Sequence, residues 1–93
     1  MTSAELKALP TCPADLSTPL RALWTLARGD WDEAHRIVQD LSGPEPAWVH
    51  AHLHRVEGDD GNAAYWYSRA RRPVCKAPLE EEWHAMVGEL LCS

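Results

Sequence analysis

The chain has 93 residues, a formal net charge of −5, five Trp, two Tyr, no Phe and three Cys. That acidic balance disfavours a general nucleic-acid binder, which needs a positive field to offset phosphate charge. Three cysteines without a C-x-x-C spacing disfavour a disulfide framework or structural zinc finger, and no apolar run approaches the roughly 18 residues that span a bilayer.

Residues 1–16 read as an N-terminal arm, with a short helix over 2–9 that Pro10 ends. Nothing there has the apolar stretch of a signal peptide, and free thiols fit a reducing, cytoplasmic setting. The first helix of the body opens at Ser17-Thr18-Pro19, with Thr18 as the N-cap and Pro19 at the first helical position. Leu20, Leu23, Trp24 and Ala27 recur at helical spacing, and Gly29 stops the helix in a left-handed conformation.

Asp30 caps the second helix, with Glu33 three residues on in a capping-box pattern. Trp31, Ala34, Val38 and Leu41 form its buried stripe, and Ser42-Gly43-Pro44 ends it. The third helix starts near Glu45-Pro46, with Val49, Leu53 and Val56 on one face and Gly58 as its stop. Asp59 or Asp60 caps the fourth, whose stripe is Ala63, Trp66, Tyr67 and Ala70. Arg72-Pro73 ends it. The last helix opens near Ala77-Pro78, with Glu80, Glu81 and Glu82 at the positive end of its dipole. Leu79, Trp83, Met86, Val87 and Leu90 are its apolar face.

The pattern therefore predicts a single all-α domain over residues 1–93 with about five helices. Two antiparallel hairpins cover 18–41 and 45–72, and an amphipathic C-terminal helix covers 78–92. The sites Gly29-Asp30 and Gly58-Asp59 put the two hairpins in register, 29 residues apart. Glycine lets the chain reverse with positive φ, aspartate supplies the cap, and Ala34 and Ala63 let paired helices approach closely.

Gly29-Asp-Trp-Asp-Glu-Ala34, followed by Val38 and Leu41, resembles the turn and second helix of a tetratricopeptide repeat. Gly58-Asp-Asp-Gly-Asn-Ala63, followed by Tyr67, Ala70 and Pro73, is similar. The stretch from Trp48 to Tyr67 also resembles a family of short bacterial proteins of unknown function, which implies no activity. The repeat resemblance implies stacked hairpins whose groove takes a protein or peptide partner, with the last helix capping the stack or pairing two copies as a homodimer.

Three histidines, His50, His52 and His54, crowd the third helix. His50, His54 and Glu57 share a face as H-x-x-x-H-x-x-E, a spacing at which two imidazoles and a carboxylate reach one divalent metal ion. His35 joins them if the second helix packs alongside, with Gln39 one turn further along the same polar strip. Asn62, Tyr65 and Arg69 on the fourth helix complete the candidate ligand set, Tyr65 by pairing with His50 or His54. The competing reading makes His54 and Glu57 hydrogen-bonding ties to that helix. Arg69, Arg71, Arg72 and Lys76 read as a solvated helix end, with an anion site as the alternative.

Two functions follow as expectations. The first is a protein- or peptide-interaction module without a cofactor. The second is a metal- or small-ligand-binding protein, or an enzyme, built on the histidines.

Overall fold

The computed structural model describes residues 1–92, and among these there are six helices and no strand. They are α1 (Ser3–Ala8), α2 (Thr18–Ala27), α3 (Trp31–Val38), α4 (Pro44–Val56), α5 (Asp60–Ala70) and α6 (Leu79–Leu91). Among the described residues no helix is long and apolar enough to cross a membrane. The most extensive packing pairs α4 with α5 and α2 with α3.

The sixth helix is α1, and it belongs to the body rather than to an arm. Thr2 and Glu5 form a complete capping box at its start. Leu6 is fully buried, the Trp24 indole N–H donates to the Leu9 carbonyl, and Ser3 Oγ bonds His84 Nδ1 of α6 at 2.7 Å.

Both Gly-Asp turns close in the same way. Gly29 and Gly58 have φ of +87° and +84°, and the Asp30 and Asp59 carboxylates each accept a backbone N–H three residues on. The N–H groups of Asp30 and Asp59 reach back five residues to the carbonyls of Thr25 and His54, which satisfies helix-end acceptors. Ala34 and Ala63 are buried at the hairpin contacts, as close approach requires.

Several element ends differ from the sequence expectation. Ser17, not Thr18, is the N-cap of α2, and it makes no side-chain cap bond. Glu33 does not complete a capping box, because its carboxylate pairs with Arg36 instead. Helix α3 ends at Val38, so Leu41 falls beyond it and is exposed. Val56 at the end of α4 and Leu79 at the start of α6 are exposed too, since terminal turns project past the helices they pack on. Helix α5 ends at Ala70, closed by Arg71 in the left-handed region at φ 60° rather than by a glycine.

The core runs through Leu6, Leu23, Val38, Val49, Leu53, Tyr67, Trp83, Met86 and Val87. Helix α4 is its axis: every residue from Ala47 to His54 is buried. The apolar face of α6 packs on α1, α2 and α4 within the same chain.

Candidate functional site

Successive residues on a helix are separated by about 100°, so His50 and His54 project to one side of α4 and His52 to the other. Because α4 is enclosed on all sides, both directions lead into the interior. On the first side, His35 comes across from α3. One nitrogen from each of His35, His50 and His54 lies within 4.8 Å of the others. The His35 and His50 rings meet edge to face with centroids 4.8 Å apart, and His54 lies 5.6 Å from His35 and 5.8 Å from His50.

Two tryptophans enclose the cluster. Trp31 stacks on His35 at 4.9 Å and 8° from parallel, while its indole N–H donates to the Leu53 carbonyl at 2.7 Å. Trp66 lies flat on His50 at 4.0 Å and 11°. The cluster is therefore held between α3, α4 and α5 by rigid rings.

His50 is 3% exposed, and neither of its ring nitrogens has a hydrogen-bond partner. Burial pushes its pKa down to about 4, aided by the charges of His35 and His54 and opposed by the Val38 backbone, a hydrogen-bond acceptor that the ring approaches without reaching ordinary bond geometry. At pH 7 it is a neutral imidazole whose acceptor nitrogen is unused. Leaving such a buried group unsatisfied costs about 1–3 kcal/mol.

Glu57 does not join this set as the sequence spacing implies. Its carboxylate accepts from His54 Nδ1 at 2.5 Å, beside the cluster rather than within it. That bond leaves His54 Nε2 with its lone pair, the role a carboxylate plays behind a metal-ligating histidine. A second grouping of His54, Glu57 and Asp59 is close enough for an ion, but both its carboxylates are exposed and Asp59 is already the cap of α5.

The other expected ligand residues separate. Asn62 donates its amide to Asp59 at 2.9 Å and not to His54 or Glu57. Tyr65 is exposed and accepts from Arg69 at 2.9 Å, so it pairs with no histidine. Arg69 lies 5.8 Å from the Tyr65 and Trp66 ring centres. Gln39 sits at the C-cap of α3, on a groove outside the cluster.

Sequence reasoning missed a second buried constellation on the opposite side of α4. Glu82 is 4% exposed and accepts from His52 Nδ1 at 2.6 Å, Arg55 Nη1 at 2.7 Å and the Tyr67 hydroxyl. Burial works to raise its pKa, but hydrogen bonds from His52, Tyr67 and Arg55 outweigh it and hold the carboxylate well below its usual range. Burial and the Glu82 carboxylate push the Tyr67 phenol the other way, far above its ordinary value. His52 and Arg55, three apart and so on one face, were the available signal. Nothing in the run Glu80-Glu81-Glu82 marks which glutamate turns inward.

Fold and site define a small all-helical protein with a buried three-histidine cluster. No family model, no curated protein and no solved structure matches the chain.

Proposed function

We propose that this chain binds a divalent transition-metal ion through His35, His50 and His54. The observation that carries the reading is His50, a neutral imidazole buried without a hydrogen bond of ordinary geometry among two other imidazoles. A metal would use that lone pair and remove the cost of burying it unsatisfied.

The donor set fits such an ion. Zinc–nitrogen bonds of about 2.0–2.1 Å at tetrahedral angles place ligand nitrogens about 3.3 Å apart. Nitrogens already within 4.8 Å close to that spacing by small side-chain rotations. Imidazoles suit zinc, copper or nickel, whereas calcium and magnesium prefer oxygen. Three protein ligands leave a fourth position for water or a small molecule, the arrangement of a site that exchanges or reacts rather than one that only staples a fold. His35, the partly exposed member, is the side from which an ion enters.

The interaction-module reading of the repeated hairpins has no comparable support. The apolar face of α6, which would have paired two copies, is buried against α1, α2 and α4.

The test is calorimetric titration of chelator-treated protein with zinc, alongside thermal unfolding. One ion per chain is expected to bind, and at a free concentration one hundred times Kd it stabilises by about 2.7 kcal/mol. His50→Leu and His35→Ala are expected to abolish both effects, and His84→Ala, which alters a histidine outside the cluster, to leave them intact. Zinc binding that survives His50→Leu, or no binding by the wild-type chain, sinks the proposal.

A further inference from the structure

A groove of about 540 Å³ lies not at the histidines but one ring away from them. It runs between the α3–α4 connection and α5, with Gln39, Asp40 and Ser42 on one wall and Trp66, Arg69 and Arg71 on the other. Trp66 divides the two places, because the ring that stacks on His50 is also part of the groove lining.

Four of the nine basic side chains of this acidic protein pair with carboxylates. Arg36, Arg55 and Arg72 pair with Glu33, Glu82 and Glu89, and Lys7 pairs with Glu80. The two groove arginines have no such partner. Arg69 donates only to the neutral Tyr65 hydroxyl, and among the described residues the Arg71 side chain has no hydrogen bond or ion pair. One cation at the end of α5 is accounted for by the helix dipole. Two guanidiniums that line one groove beside an indole wall, neither of them in an ion pair, are not.

We infer that this groove binds a small organic anion with a single charged end, its carboxylate or phosphate held by Arg69 and Arg71 and its apolar body laid along Trp66. Guanidinium groups recognise both oxyanions through paired N–H donors. The volume is that of a single small-molecule site rather than a macromolecular interface. Asp40 on the facing wall repels a second negative group, which selects for one anionic end. Gln39 and Ser42 offer the remaining polar contacts. The inference goes beyond the metal reading and does not depend on it.

The test is an NMR titration of the full chain with benzoate, phenyl phosphate, inorganic phosphate and the neutral benzamide, all in the presence of chelator. Saturable shifts centred on the Trp66 indole N–H are expected with the two aromatic anions. Benzamide should bind about tenfold more weakly or less, the worth of a charge-assisted hydrogen bond. Arg71→Gln should weaken the anions by about the same factor, while Lys76→Gln, which removes the same charge elsewhere, should not. Equal binding of benzamide and benzoate, or equal losses in the two variants, overturns the proposal. So does inorganic phosphate binding as well as phenyl phosphate, since the indole wall would then contribute nothing. Binding that vanishes in chelator but appears with zinc assigns the carboxylate to the metal and overturns the groove, leaving the metal reading intact.

Discussion

Glu82 and His50 are both nearly lost to solvent beside α4, on opposite sides of it. Glu82 has three hydrogen-bond donors, whereas neither His50 ring nitrogen has a hydrogen bond of ordinary geometry. The Glu82 network joins α4, α5 and α6 and uses its charge fully, as a structural network should. The histidine cluster leaves acceptor capacity unused in a place where that is costly. Of two nearly equally buried polar groups, the less satisfied one is where the metal proposal rests.

The largest effect expected from breaking this contrast comes from Glu82→Ala. It strands Arg55 and His52 without their carboxylate, and loss of one partner of a buried pair costs about 3–5 kcal/mol. Urea unfolding at pH 7 measures it; a loss well under 1 kcal/mol would mean that the network behaves like a surface ion pair.

Acid separates the two sites next. His50 has its pKa lowered from 6.5 to about 4 on folding, so between those values the unfolded chain binds a proton that the folded chain refuses. Its contribution is present above pH 6.5 and lost as pH falls through 4, a total of about 3 kcal/mol. The depressed Glu82 carboxyl acts in the same sense but lower, its contribution being lost as pH falls from 4.5 toward about 2. Stability measured across pH 7 to 3 should therefore fall in two stages, and His50→Leu should flatten the upper one only.

At neutral pH without metal, His50→Leu is expected to leave stability unchanged or raise it by up to about 2 kcal/mol, since an unsatisfied polar group gives way to an apolar one. A marked loss would show that His50 has a partner after all. The smallest effect is in the scaffold both sites share. Gly58→Ala meets no atom within 4 Å, so only its φ of +84° resists, at about 1 kcal/mol.

Features bounded within a few residues were legible in advance. Gly29, Gly58 and their caps depend on local backbone bonds, and both turns formed in the expected register. Pairing His50 with His54 was equally local, because four residues bring the chain round to the same face. Glu57 shows the limit of the same rule: spacing gives its side of the helix, while its carboxylate turns sideways to His54 Nδ1. Tyr65 and Asn62 were drawn to nearer partners on their own helix, Arg69 and Asp59.

By itself, then, the sequence determined that the chain is helical, where most helices stop, and which residues share a face. The tertiary structure alone decided that α4 is enclosed on every side, that His35 completes the cluster, and that Glu82 rather than Glu80 or Glu81 turns inward. The helical period sets the angle of a side chain around its own axis. What stands opposite that angle is set by another helix, and burial there determines whether a histidine is a solvated side chain of the surface or a neutral imidazole of the interior.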